Sequence, residues 1–186
     1  MNSGKIQPSM KWTIEAGDVL CIPADVLICS ANVFLNLSGG VGGEILLRFG
    51  AGMQEELHEW LRRLGKRHVE RGDVVVTNPH GTHLQAVVHA VAVDGFYQSS
   101  PAVIEAVTGK ALQVAAELQA RRVALTALAT GFGRLSMSDF AKGIKPLLKR
   151  EFGAVEEVVL CVRSQEQRHE LTSSLGKNVP DVHPAT

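Results

Sequence analysis

The run Gln85-Ala86-Val87-Val88-His89-Ala90-Val91-Ala92-Val93 shows almost no alternation of apolar and polar residues. Successive strand residues point to opposite faces, so a run that is apolar throughout must be covered on both sides. Three other stretches, Asp25–Ala31, Arg122–Ala129 and Glu156–Val162, have the same character. Stretches with helical spacing separate them. Leu57, Trp60, Leu61 and Leu64 share one face of Met53–Leu64. A long helix is expected from Pro101, a residue favoured in a first turn, to about Ala120. Another, capped by Ser136 or Ser138, carries Phe140, Ile144, Leu147 and Leu148 to Phe152 and stops at Gly153. Gln165–Leu175 is the last helix. Lys11–Glu15 and Gly72–Asn78 add two strands, the second closed by Pro79 and the Gly81 turn. Buried strands alternating with helices specify an α/β fold: a three-layer α/β/α domain whose mixed, mostly parallel sheet has helices on both faces.

At 186 residues the chain fits one domain, expected over 11–175, with a flexible lead-in at 1–10 and a disordered tail at 176–186. Lys plus Arg and Asp plus Glu each number 19, and a net charge of zero excludes a broad basic footprint for nucleic acid. Cys21, Cys29 and Cys161 lie in apolar surroundings without metal-ligand spacing, as expected of reduced thiols in a cytoplasmic protein. Met1–Ser9 lacks the apolar core of a secretory signal, and no apolar run reaches the ~20 residues of a membrane span.

Two glycine-bearing turns follow expected strands. The first is Leu37-Ser38-Gly39-Gly40-Val41-Gly42-Gly43-Glu44-Ile45, with a short helix expected from Gly43. The second is Thr130-Gly131-Phe132-Gly133-Arg134-Leu135. Glycines permit turns that aim successive amides at one point, and a helix start adds unpaired donors. Together these attract anions, phosphates above all. In open α/β sheets ligands bind at the carboxyl ends of the strands, so both turns and Gly17-Asp18 should open onto one rim.

Several ordered pieces resemble the macrodomain family of ADP-ribose-binding modules. They are Gly17-Asp18-Val19 before Pro23-Ala24-Asp25-Val26, then Ser30-Ala31-Asn32, then Ser38-Gly39-Gly40-Val41-Gly42. Gly72–Thr77, Val88-His89-Ala90-Val91 and Ala129–Gly133 follow. The resemblance covers about Lys11 to Leu175 and implies the following roles. Asp18 accepts a hydrogen bond from the adenine amino group, with the Val19 amide nearby; as a residue alone, Asp18 also suits a turn after Gly17. Asn32 bonds the distal ribose, or forms a strand-ending Asx turn. Ser38 and the amides of Gly39, Gly40, Val41, Gly42 and Gly43 hold the diphosphate from one side, and those of Thr130, Gly131, Phe132, Gly133 and Arg134 from the other. Phe132 lies against the distal ribose, or packs in the core. The Arg134 side chain neutralises a phosphate, or is solvated.

The chain departs from the family pattern in three places. Arg163 stands where an aromatic often stacks on adenine; a guanidinium plane can stack there or face solvent. Cys29 replaces the first Asn of the family's Asn-Ala-Ala-Asn motif. Gly42 replaces the Asp of a hydrolase group and cannot act as a base. A different hydrolase group uses a Lys, and none lies between Lys11 and Lys66. Glu44 and Asp94 remain as carboxylate candidates, with Arg48 near the first; Glu44 also suits a helix N-terminus and Asp94 a turn. His89 is expected to be a satisfied core imidazole, and His58, His68, His80 and His83 show no metal spacing.

The resemblance therefore implies a binder of ADP-ribose, free or as a mono-ADP-ribosyl modification. The alternatives are an ADP-ribosyl hydrolase and a ligand-free scaffold. No metal or cofactor is implied. The expected partner is ADP-ribose or an ADP-ribosylated macromolecule, with no membrane, and with nucleic acid only as a modified target.

Overall fold

In a computed structural model, which describes residues 10–176, the unalternating runs supply the inner strands of one six-stranded sheet. The lead-in and tail expected at 1–10 and 176–186 lie outside the described residues, save Met10 and Gly176. The strands are β1 (Lys11–Ala16), β2 (Val26–Ala31), β3 (Val74–Thr77), β4 (Ala86–Val91), β5 (Arg122–Thr126) and β6 (Glu157–Val162). They run in the order β1-β6-β5-β2-β4-β3, with every neighbouring pair parallel except β3 against β4. The helices are α1 (Gly40–Phe49), α2 (Gly52–Arg63), α3 (Pro101–Glu117), α4 (Met137–Ile144) and α5 (Gln165–Leu175).

The two faces of β2 show why alternation is missing. Val26 and Ile28 pack with Ile104 of α3, Phe140 of α4 and Leu171 of α5. Leu27 and Cys29 pack on the other face with Ile45 of α1 and Met53 and Leu57 of α2. Helices therefore cover both sides, as the apolar runs require.

Asp25, just before β2, fixes the relative height of the central strands. Its Oδ2 accepts the amides of Arg121 at 2.7 Å and Arg122 at 2.8 Å, while its carbonyl accepts the Gln85 amide at 2.8 Å. Val26 consequently stands level with both Ala86 and Val123. Strands that start level also end together, which brings their following loops to one edge.

Several boundaries differ from the expected ones. The helix expected to reach Phe152 ends at Ile144 and passes into a 3-10 turn, Lys145–Lys149, because Pro146 has no amide to continue the ladder. Ser136, not Ser138, is its cap, accepting from the Asp139 amide at 3.0 Å. β5 stops at Thr126 because the Ala127 carbonyl is turned to accept both the amide and the hydroxyl of Thr130. α1 starts at Gly40 rather than Gly43.

His89 is fully buried in β4, with Nε2 3.0 Å from Thr77 Oγ1 and Nδ1 3.8 Å from Cys29 Sγ. Burial disfavours the imidazolium and lowers its pKa to about 4, as befits the core imidazole expected from sequence. An unfolded His titrates near 6.5, so between pH 6.5 and 4 the unfolded chain binds the extra proton. The stability that neutral His89 contributes is complete above pH 6.5 and is lost as pH falls towards 4, a change of about 3 kcal/mol at most. Urea-unfolding midpoints measured across this range should fall less steeply in His89→Gln than in the wild type.

Candidate functional site

A cleft of about 710 Å³ opens at the carboxyl ends of β1, β2, β5 and β6. Gly17, Ser30, Thr126 and Val162 form its floor from those strand ends. The first glycine turn walls one side and the second the other, so the structure brings the two together.

The first turn is the start of α1. Gly39 is extended and Gly40 takes φ +56°, after which the Gly43 amide donates to the Gly39 carbonyl at 3.1 Å. The amides of Gly40, Val41 and Gly42 are left without a protein partner among the described residues. Ser38 and Gly39 also border the cleft, whereas Gly43 does not, and its amide is spent inside the helix. Its expected place among the diphosphate donors is corrected accordingly.

The second turn is built by its own hydrogen bonds. Thr130 donates its amide to the Ala127 carbonyl at 3.4 Å, Arg134 to Gly131 at 3.2 Å and Leu135 to Ala129 at 3.0 Å. Among the described residues the amides of Gly131, Phe132 and Gly133 are left without a protein partner, so those of Thr130 and Arg134 are removed from the expected donor set. Arg134, at φ +54°, also lies outside the cleft lining. The Ala129 amide donates to Ser30 Oγ at 3.3 Å and ties this turn to the end of β2. Gly133 has no room for a side chain: a Cβ would stand 2.5 Å from the Ala129 carbonyl oxygen and 2.7 Å from Val93 Cγ1.

Phe132 is 70% exposed, which excludes core packing. Its ring edge lies against Gly39, where a Cβ would come within 2.4 Å of Cε2, so the two turns meet over the cleft. Tyr97, from the loop after β4, stands with its ring centre 6.4 Å from that of Phe132. No motif in the sequence marked Tyr97 or Asn36, and both line the cleft. Each is brought in by tertiary structure.

At the opposite end, Asp18 caps a short 3-10 turn, Val19–Cys21, and Val19 lines the cleft beside it. Asp18 Oδ1 accepts the Leu20 amide at 3.0 Å; Oδ2 accepts from Cys21 Sγ at 3.4 Å and from the Arg48 guanidinium. Burial raises the Asp18 pKa, but the bonds from Arg48, Leu20 and Cys21 outweigh it and hold the carboxyl below its ordinary value.

Asn32 also lines the cleft, yet its Oδ1 accepts the amides of Phe34 and Asn36 and its Nδ2 donates to the Asn36 carbonyl. It organises the loop before α1, which is its Asx-turn reading, and keeps one amide hydrogen for a ligand. Arg163 extends over the first glycine turn, its Nη2 3.4 Å from where a Cβ of Gly40 would be. A guanidinium there places a cation beside the first turn.

The two carboxylate candidates separate. Glu44 borders the cleft, with Oε2 3.1 Å from Arg48 Nη2. Asp94 does not border it: Oδ1 accepts the amides of Phe96 and Gln98, both at 2.9 Å, and Oδ2 pairs with Arg71. Asp94 is a turn organiser, and its expected catalytic candidacy is corrected. At Gly42 a Cβ would stand 3.0 Å from Leu37 Cα, so the loop is packed for glycine there. The cleft's thiol, Cys161, has its pKa raised to about 12 by burial and by the charges of Glu15 and Asp18, which keeps it protonated. Among the described residues no three His, Cys, Asp or Glu side chains gather as metal ligands.

Residues 28–144 match the family model for the Macro domain. An uncharacterized protein of Pyrobaculum aerophilum is 30% identical over 171 residues, 88% of this chain and 90% of its own length. One from Thermococcus kodakarensis is 30% identical over 173 residues, 84% of this chain and 94% of its own. Among solved structures, an Oceanobacillus iheyensis macrodomain mutant with ADPR superposes with a TM-score of 0.79 at 15% identity, covering 91% of this chain and 94% of that one. A Trypanosoma brucei macrodomain in complex with ADP-ribose gives 0.73 at 17% identity, covering 88% and 68%.

The second turn makes a paired prediction. Gly133→Ala should destabilise by about 1–3 kcal/mol, the usual cost of forcing a methyl into filled space. Gly131→Ala, with nothing within 4 Å of the new methyl, should change stability by less than about 0.5 kcal/mol. Thermal and urea melts of the two proteins measure the difference.

Proposed function

The chain belongs to the macrodomain family, and we propose that it binds ADP-ribose, free or as a mono-ADP-ribosyl group on a macromolecule, in the cleft between the two glycine turns. One observation carries the reading: three amides from each turn, Gly40–Gly42 and Gly131–Gly133, without a partner among the described residues, border one cleft with Phe132 bridging its mouth. A diphosphate supplies acceptors to both rows, and the start of α1 favours its charge. Asp18 lies at one end of the cleft to receive an adenine amino group, and Asn32, Phe132 and Tyr97 lie towards the other for the distal ribose. Arg163 adds a cation beside the first turn.

Charge-assisted bonds of about 1.5–3 kcal/mol each, set against the several kcal/mol lost on association, point to micromolar affinity. The proposed setting is the cytoplasm, where three free thiols stay reduced.

Hydrolysis is the second reading, and it rests on Glu44, the one candidate carboxylate bordering the cleft beside the diphosphate turn. Its pairing with Arg48 leaves Oε1 as the oxygen able to take a proton from water. Release of ADP-ribose from a mono-ADP-ribosylated protein, compared between wild type and Glu44→Gln, tests it. Loss of the release in the variant supports hydrolysis; the absence of release in the wild type removes it.

Titration calorimetry with ADP-ribose, ADP and AMP tests binding. Gly131→Glu puts a carboxylate into open space beside the free amides. It should weaken ADP-ribose binding at least tenfold, ~1.4 kcal/mol, in a protein that still melts cooperatively. A folded variant with wild-type affinity would refute the site.

A further inference from the structure

The base end of the cleft is wired to a charge that lies outside the cleft. Arg48, in the last turn of α1, reaches two carboxylates at once. Its Nη1 donates to Asp18 Oδ2, and its Nη2 donates to Glu44 Oε2 at 3.1 Å. Asp18 and Glu44 both border the cleft and Arg48 does not. Folding has little use for the arrangement. The three side chains are 37%, 50% and 39% exposed for Asp18, Glu44 and Arg48, and ion pairs so open to water add little stability.

The hydrogen bonds say what the arrangement accomplishes. A carboxylate offers about four lone-pair sites. At Asp18 the Leu20 amide takes one on Oδ1, while Arg48 and Cys21 take both on Oδ2. The site left over is on Oδ1. Without Arg48 the carboxylate would gain a second free acceptor and lose the contact that fixes its plane.

Glu44 has a separate problem. It follows directly on the turn whose Gly40, Val41 and Gly42 amides are unpartnered, where a loose carboxylate would bond those donors itself and repel a phosphate. Arg48 pulls it along the helix by one turn.

We propose that Arg48 is a positioning residue for the nucleotide: it holds Asp18 by Oδ2 so that Oδ1 meets the base's exocyclic amino group, and it draws Glu44 off the diphosphate turn. The assignment rests on the ADP-ribose reading above. The lowered pKa of Asp18 and the raised pKa of Arg48, whose largest cause is its hydrogen bond to Asp18, agree with a pair that stays ionised.

The test compares ADP-ribose with inosine diphosphate ribose, in which an oxo group replaces the amino group that Asp18 would accept from. Calorimetry gives both affinities for wild type, Asp18→Asn, Arg48→Ala, Arg48→Lys and the double variant Arg48→Ala/Glu44→Gln. The wild type should prefer ADP-ribose, and Asp18→Asn should abolish the preference. Arg48→Ala should weaken ADP-ribose binding about tenfold and narrow the preference at least threefold, with its melting temperature unchanged. Arg48→Lys should fall between, since an ammonium lacks the fork that spans two carboxylates. The double variant should regain affinity without regaining preference, which separates the effect on Glu44 from that on Asp18.

Wild-type affinity and preference in Arg48→Ala would overturn the assignment while leaving the ADP-ribose reading intact. A wild type that binds neither nucleotide overturns both, so the two failures are distinguishable. Should Arg48→Ala not fold, an unchanged preference in Arg48→Lys overturns the assignment by itself.

Discussion

Backbone amides without acceptors are the constraint from which the rest of this molecule follows. An N–H withdrawn from water and left unpaired costs free energy, and proteins pair nearly all of them. Two turns that leave three each facing one cleft are tolerable only when water or a ligand satisfies the donors, and only when the turns are held rigidly enough not to collapse onto their own carbonyls. The sheet supplies that rigidity. Asp25 sets the starts of the central strands level, and the loops leave from a common edge. Ser30 then anchors the second turn through the Ala129 amide. Position, more than side-chain chemistry, makes the anion site that we propose.

The fold was legible because its signal is local and repeated. Two-sided apolar runs separated by helical spacing specify a covered parallel sheet, and the Macro domain match over residues 28–144 agrees with the family those pieces resembled. Boundaries were less legible where one residue overrides a pattern. The apolar spacing of Phe140, Ile144, Leu147 and Leu148 continues past Ile144, but Pro146 breaks the hydrogen-bond ladder beneath it. At Gly40 the reverse holds: glycine's poor helix propensity hid a helix start that the Gly43 bond to Gly39 secures.

The cleft was legible in outline and less so in detail, for a reason that the hydrogen bonds make concrete. Glycine content reveals where amides can be bare, not which of them the turn consumes for itself. Gly43, Thr130 and Arg134 spend theirs internally, and sequence carries no sign of that expenditure. Asp94 looked like a cleft carboxylate because it ends a buried run, yet the loop it begins curls back onto Oδ1 and Arg71 takes Oδ2. Tyr97 and Asn36 reach the cleft through loop paths that no motif encodes. Arg48 to Asp18 spans 30 positions and shows no local pattern, although its pairing with Glu44 follows the helical i,i+4 spacing.

The same geometry bears on chemistry as well as on binding. A general base must stand within hydrogen-bond reach of the water it activates, with a lone pair to offer. Gly42 supplies no side chain, and a Cβ there would stand 3.0 Å from Leu37 Cα and 3.2 Å from Leu37 Cδ2, so a larger residue needs Leu37 to give way slightly. A carboxylate at that position would press on Leu37 at the foot of the turn that carries the Gly40–Gly42 amides. Glu44 lies two residues further on, where its Oε2 is engaged by the Arg48 guanidinium at 3.1 Å and Oε1 is left to meet a water. A turn with no side chain at Gly42, and a Glu44 carboxylate already engaged by Arg48, are the physical ground on which we rank the proposed binding of a diphosphate above turnover.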